Sequence, residues 1–182
     1  MNPMDIEHLD GDATRDRFDE IQAVYAESFP RYDLGDYRTR MRRQLAAPGF
    51  EAVTARHEGA LAGFVYGLPL SARTSWWEGL DPAPPAGFTQ ETGRRTFAVI
   101  DLAVRPAHRR RGLGRRLLEE LLAGRPEERA VLATAPHEHQ TQAMYRRWGW
   151  RPVGRAPGAA AATQPWFDLY LIALRSAPSS SR

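Results

Sequence analysis

The residue types at 105–118, Arg-Pro-Ala-His-Arg-Arg-Arg-Gly-Leu-Gly-Arg-Arg-Leu-Leu, define a chemistry before any fold is considered. Leu113, Leu117, Leu118, Leu121 and Leu122 recur at helical spacing, so a helix begins near Gly112, with Arg115, Arg116, Glu119 and Glu120 mostly on its other side. Arg109, Arg110, Arg111, Arg115 and Arg116 then crowd the N-terminus of that helix, where free N–H groups and the dipole favour an anion and repel cations. A phosphate set among them would resolve the conflict. A local rule broken this openly marks a candidate site. The bland alternative is a solvated basic run.

The elements around this segment place it. Thr96 to Val104 is apolar, rich in β-branched residues and short enough for a buried strand, and Pro106 ends it. Gly124 and Pro126 stop the helix. The unit is strand, basic glycine turn, helix. A Walker loop needs Gly-Lys-Ser/Thr, and the chain has no lysine. A dinucleotide fingerprint needs a third glycine where Leu117 stands. What remains is Arg-x-x-Gly-x-Gly, from Arg109 to Gly114.

That pattern resembles the coenzyme A pyrophosphate loop of the GNAT superfamily of N-acetyltransferases, and Asp101 to Pro106 is similar to the family's fourth strand. A second block agrees. After a further apolar strand, Ala130 to Ala135, the run Gln142 to Trp150 resembles the family's Tyr-x-x-x-Gly-aromatic helix end. The resemblance is sharp over residues 96–155. It implies an α/β fold with a mixed six- to seven-stranded central sheet, split between strands 4 and 5, with helices on both faces. It also implies acetyl-CoA as co-substrate, and a direct acyl transfer to a primary amine of a small molecule or peptide.

The resemblance further implies roles. Backbone groups around Arg110, Arg111, Gly112, Leu113, Gly114 and Arg115 would take the pyrophosphate, with Arg109 and the flanking arginines on the remaining phosphate. The backbone of Leu102, Ala103 and Val104 would pair with the pantetheine arm, the N–H near Val104 serving as oxyanion donor. Tyr145 stands at the general-acid position, where a phenol can protonate the departing thiolate; its alternative is a core tyrosine on an amphipathic helix. Asp101 is the first choice for general base, since an ionised carboxylate in an apolar strand is costly unless paired or functional; a satisfied structural Asp is the alternative. His137, Glu138 and His139 could serve instead. In the family an asparagine often precedes the tyrosine by seven residues, and here Glu138 stands there, with Gln140 a substitute if the loop is shifted. Three consecutive loop positions make poor ligand spacing, so no metal is expected.

Composition fits one domain over residues 1–175 with a Ser-rich disordered tail at 176–182. With 182 residues, 42% of them hydrophobic, and no long apolar run, the expectation is one sizeable core and no membrane span. Met1 to Gly11 is polar and acidic, without a signal or transit pattern, and the expected location is cytoplasmic. The absence of cysteine excludes disulfides, thiolate metal sites and an acyl-cysteine intermediate. Net charge is +3, and all 25 basic residues are arginine interspersed with 22 acidic ones, so no nucleic-acid partner is expected. The rival functional class is a non-catalytic acyl-CoA-binding sensor that keeps the fold and loses the chemistry.

Along the rest of the chain, Met4 to Leu9 reads as a first strand. A helix follows from a cap at Thr14 to Ser28, and a second over Tyr37 to Ala46 capped by Asp36. Phe50 to His57 and Ala60 to Gly67 form a hairpin around Glu58-Gly59. Residues 68–95, rich in proline and glycine, form a long loop whose Trp76-Trp77 either walls an acceptor pocket or pins the loop to the core. Glu27 to Tyr32, Trp76 to Asp81 and Pro165 to Asp168 border the acceptor by family topology. The near-continuous apolar strand Phe167 to Leu174 fits pairing or packing across a homodimer.

Overall fold

Continuous apolar runs form the inner strands, and apolar residues at helical spacing form the buried faces of the helices. The computed structural model describes residues 3–159, 162 and 164–174. In order these form β1 (Asp5–Leu9), α1 (Gly11–Asp16), α2 (Phe18–Ser28), α3 (Leu34–Leu45), β2 (Glu51–His57), β3 (Ala60–Pro69) and β4 (Thr96–Val104). A 3-10 turn (Pro106–His108) leads to α4 (Leu113–Leu122), β5 (Arg129–Thr134), α5 (His139–Arg147), β6 (Arg151–Pro157) and β7 (Trp166–Ala173). The seven strands form one mixed sheet in the order β1-β2-β3-β4-β5-β7-β6. The fold is the α/β architecture expected. β4 and β5 are parallel, joined through Thr96–Ala98 and Arg129–Val131, and both strands continue past that short ladder. The tail from Ser176 lies outside the described residues.

The chain divides into two compact units, one of residues up to Leu68 with Val99–Ala123, the other of Pro69–Ala98 with the residues from Gly124. In the first, α3 buries Tyr37, Met41 and Leu45, one helical face, against Ile21, Val24 and Tyr25 of α2 and Phe64 and Tyr66 of β3. The Tyr25 and Tyr37 rings stack with centroids 3.7 Å apart. The hairpin turn is as read, with Glu58 and Gly59 both left-handed (φ 52° and 80°), the geometry that matches strand twist. The helix starts differ from the sequence reading. Asp10 caps α1, its Oδ1 accepting from the Ala13 N–H at 2.8 Å, while Thr14 is buried inside that helix and returns its hydroxyl to the Asp10 carbonyl. The single expected helix is two, broken at Arg17, whose guanidinium forks onto Glu7 of β1. Asp33, not Asp36, caps α3, accepting from the Asp36 N–H at 2.9 Å.

In the second unit the long loop is pinned by arginine. The Arg129 guanidinium, at the start of β5, donates to the Thr96 hydroxyl (2.8 Å), the Phe88 carbonyl (2.6 Å) and Glu91 Oε1 (3.0 Å), and lies over the rings of Trp77 and Phe88. The same Glu91 oxygen accepts from the Trp77 indole at 3.0 Å and from Thr96 at 2.7 Å. Arg95 adds bonds to the Gly87 and Gln90 carbonyls, each 2.7 Å. Trp77 therefore does what the pinning reading requires. Farther along the loop, Asp81 exchanges both backbone bonds with Arg155 of β6 at 2.8 Å, covering part of an edge strand that would otherwise invite pairing. Gly154 makes that approach possible, since a Cβ there would lie 2.7 Å from the Asp81 carbonyl oxygen.

β7 departs from the dimer expectation. It lies between β5 and β6 with antiparallel ladders on both sides, so its backbone is already paired and strand pairing across a dimer through it is closed. β6 has no counterpart in the sequence reading; Pro152, Gly154 and Pro157 hide it, and they are tolerated because it is an edge strand. Because Arg129 and Glu91 are both buried, removing one strands the other. Arg129→Gln should lower stability by about 3–5 kcal/mol, read as a fall of the urea midpoint, whereas an exposed arginine replaced the same way should cost under about 0.5 kcal/mol.

Candidate active site

Within the first unit, β4 delivers the basic turn. Arg105 belongs to the run by sequence but is structural: its N–H donates to the Ala62 carbonyl (2.9 Å), its Nε to the Leu61 carbonyl (2.7 Å), and its guanidinium pairs with Glu27. Arg109 folds back, with Nε 2.8 Å from the Val104 carbonyl. Arg110 and Gly112 are both left-handed, at φ 61° and 77°, so the chain coils tightly around Arg111 before α4 opens at Leu113. A turn whose backbone handedness alternates points successive N–H groups toward one concavity. Gly112 occupies the cap position of α4, and no side chain caps that helix, so its first-turn N–H groups keep their capacity for an anion. Arg110, Arg111, Arg115 and Arg116 are exposed, Arg115 pairing along the helix with Glu119 at 2.7 Å.

The two loop glycines differ. Gly112 is glycine because of its backbone; Gly114 sits in the first turn of α4 with no positive φ, so local conformation does not demand it. On its other side α4 buries Leu113, Leu117, Leu118 and Leu121 and packs on β2. His8 of β1 ties these elements together, Nδ1 being 2.8 Å from Glu51 of β2 and Nε2 3.5 Å from Glu120 of α4, and the Glu51 hydrogen bond holds its pKa above the ordinary histidine value.

Upstream on β4, Ala103 is buried in the core while Leu102 and Val104 are half-buried. β3 approaches closely here: a Cβ on Gly63 would lie 2.8 Å from the Ala103 carbonyl oxygen. Asp101, half-buried, does not stand alone. Its Oδ2 accepts from Arg40 Nη1 of α3 at 3.0 Å and from the Tyr66 hydroxyl of β3, which in turn lies 3.1 Å from the Tyr37 hydroxyl. Burial, first, with the nearby Asp101 charge, pushes the Tyr66 and Tyr37 phenols well above the ordinary tyrosine value and Tyr25 to about 12. These phenols are hydrogen-bond donors at neutral pH, not bases.

In the second unit, α5 carries Tyr145, buried with its ring edge-on to Trp148 (5.8 Å between centroids) and Trp150 (5.9 Å). One turn earlier on the helix Gln142 is buried, its amide donating to Asp168 Oδ2 (2.9 Å) and the Thr134 hydroxyl (3.1 Å). Asp168 is also forked by Arg155, and the Arg155 hydrogen bond is the main reason its carboxyl is held below the usual carboxylate value. The helix bearing Tyr145 is thus tied to β5 and β7. His137, Glu138, His139 and Gln140 are exposed, with Glu138 at the α5 cap position making no side-chain capping bond.

Comparison with known proteins decides the family. The model of the acetyltransferase (GNAT) family matches residues 16–150. The chain belongs to the GNAT acetyltransferase family. No curated protein sequence matches it. Among solved structures it is similar to an aminoglycoside 6'-acetyltransferase type Ii, at 18% identity over 96% of this chain and 99% of the other with TM-score 0.68. It is also similar to Arabidopsis thaliana NAA60 in complex with acetyl-CoA, at 16% identity over 94% and 99% with TM-score 0.67. A third likeness is to the ribosomal-protein-S18-alanine N-acetyltransferase of Escherichia coli, at 15% identity over 99% of both chains with TM-score 0.62. At such identities the likeness is one of fold, and the names of these proteins carry acceptors as different as an aminoglycoside and a ribosomal-protein alanine.

For this GNAT chain the sequence reading singled out Asp101 and Tyr145 but not the residues around them, Arg40, Tyr66 and Tyr37 bonded to or near Asp101, and Gln142 with Asp168, which anchor the helix that carries Tyr145. The only signal was indirect: a polar residue in an apolar run must find partners somewhere. Arg40 is 61 positions from Asp101 and Asp168 is 26 from Gln142, separations that no local pattern spans. The difference between the loop glycines is testable without ligand. Gly112→Ala should cost roughly 1–2 kcal/mol in urea unfolding, because it forces a Cβ into a left-handed backbone, while Gly114→Ala should be neutral or gain up to about 1 kcal/mol from helix propensity.

Proposed function

We propose that the protein is an acetyl-CoA-dependent N-acetyltransferase that acylates a primary amine of a small molecule or peptide by direct attack. The observation that carries this reading is the turn before α4, where left-handed Arg110 and Gly112 and an uncapped helix start form an anion cradle in a chain of the GNAT family. Its donor set fits a pyrophosphate, with N–H groups from Arg110 to Arg115 on the bridging phosphates and the Arg109, Arg110, Arg111 and Arg115 side chains supplying charge. The backbone of Leu102, Ala103 and Val104 presents donors and acceptors to the two amides of a pantetheine arm, and the Val104 N–H is assigned to the carbonyl oxygen as negative charge develops on it.

Acetyl-CoA supplies an activated acyl group, and this chain's residues manage the protons. The acceptor arrives as an ammonium and must lose a proton before its nitrogen can bond to the carbonyl carbon. Asp101 takes that proton. As the carbon–sulfur bond breaks, the thiolate needs a proton, and the Tyr145 hydroxyl donates it. The nitrogen sheds its second proton to solvent as the amide forms, Tyr145 regains one from solvent and Asp101 releases its own, so the products are the amide, free CoA thiol and one proton. Lacking cysteine, the chain has no thiol to form an acyl-enzyme, which accords with single-step transfer. Among the described residues no helix is long and apolar enough to cross a membrane.

Saturating acetyl-CoA, or CoA, should raise the melting temperature with no added metal, by the equivalent of about 2.7 kcal/mol at a hundredfold excess over Kd. An unchanged melt would overturn the carrier assignment. Tyr145→Phe keeps the ring and its tryptophan contacts while removing the hydroxyl, so the melting shift should persist and thiol release with a competent amine should fall roughly 10- to 1000-fold. Binding without turnover on any amine in the parent protein would favour the sensor reading.

A further inference from the structure

We propose that Arg40 and Tyr66 are positioning residues that grip one oxygen of Asp101, Oδ2, and so present the other, Oδ1, to the acceptor ammonium. This rests on the reading of Asp101 as proton acceptor and adds how the carboxylate is held. Both bonds to Asp101, from Arg40 at 3.0 Å and from the Tyr66 hydroxyl, end on Oδ2, and among the described residues no hydrogen bond ends on Oδ1. The side chain is 14% exposed, so Oδ1 is not sealed away.

Arg40 meets Asp101 on one oxygen only, as Arg15, Arg95, Arg105, Arg115 and Arg129 also meet their carboxylates. Arginine and carboxylate prefer to meet as two parallel bonds. Arg17 with Glu7, Arg56 with Glu20, Arg125 with Glu127 and Arg155 with Asp168 all do so, each pair using both carboxylate oxygens. Arg40 is held where it is by further contacts, since the same Nη1 faces Gln44 Oε1 at 3.4 Å and the Tyr37 ring lies 5.4 Å beneath the guanidinium. Tyr66 is fully buried, and its hydroxyl is backed by that of Tyr37 at 3.1 Å. Guanidinium and phenols in this cluster donate; Asp101 is the member whose side chain offers acceptor oxygens, and Oδ1 is the one with lone pairs to spare.

Because Arg40 and Tyr66 act through Asp101, their effect on rate should exist only while the carboxylate is present. Thiol release from acetyl-CoA would be followed with kanamycin, spermidine and an alanyl peptide as acceptors, at temperatures below the melting point of every variant. For an acceptor that turns over, Asp101→Asn should lower kcat/KM about 100-fold. Arg40→Gln should lower it about 10-fold and Tyr66→Phe several-fold, both with the melting shift by CoA retained. Arg40→Lys should stay within about threefold of the parent, since a single contact is one that an ammonium can also make. In the Asp101→Asn background, Arg40→Gln and Tyr66→Phe should change the rate no further. Equal losses from Arg40→Gln with and without the Asp101 carboxylate would overturn the proposal, as would a parent-like rate for both Arg40→Gln and Tyr66→Phe while Asp101→Asn is impaired. An Asp101→Asn variant with undiminished kcat/KM, or a parent inactive on all three acceptors, would instead sink the underlying reading and the proposal with it.

Discussion

A carboxylate placed in an apolar strand has to be satisfied, and in the first unit that requirement organises everything around β4. Asp101 draws Arg40 from α3 and Tyr66 from β3 onto one oxygen. Arg40 in turn gathers Tyr25, Tyr37 and Gln44, so the stacked tyrosines that fill the core between α2 and α3 are also the outer layer of a polar cluster. Leaving any buried member without its partner would cost on the order of 1–3 kcal/mol, more for a charged one. The register of α3 against β3 and β4 is therefore fixed by polar geometry as well as by the apolar stripe of Tyr37, Met41 and Leu45. A cluster so fully committed holds its side chains in place before any ligand arrives.

What the sequence disclosed and what it concealed divide along one physical line. Features set by the chain's local conformation were legible: Gly59 after Glu58 in the hairpin, the bounds of β4, and Gly112 at the start of α4 each follow from backbone requirements within a few residues. The cap of α3 was misplaced because Asp33 and Asp36 are equally good acceptors in isolation, and only the position of Leu34 on the core decides between them. The break at Arg17 depends on Glu7, ten residues away on another element. The candidate site shows the same division. Asp101 and the arginine turn stood out by breaking local rules, whereas the residues that hold Asp101 obey them and were invisible.

The long loop between β3 and β4 makes the point in the second unit. Its composition, rich in proline and glycine, argued against regular structure, and it has little; yet Trp77, Glu91, Arg95 and Arg129 give it an interior of its own. Nothing in a cluster of prolines announces that Glu91 beyond it will meet an arginine at the start of β5. Order here comes from long-range charge and aromatic contact rather than from backbone periodicity.

Each of these internal clamps, at Arg40, Arg95, Arg105 and Arg129, is built from guanidinium. Its fork reaches two or more acceptors at once, which an ammonium does poorly. There is a second consequence for an acetyltransferase. A guanidinium stays protonated far above neutral pH and has no free amine lone pair to attack a thioester, whereas a lysine that loses its proton does. A chain with no lysine presents no side-chain amine to an activated acyl group, so the cations that hold its architecture together are inert to the very reagent its family handles.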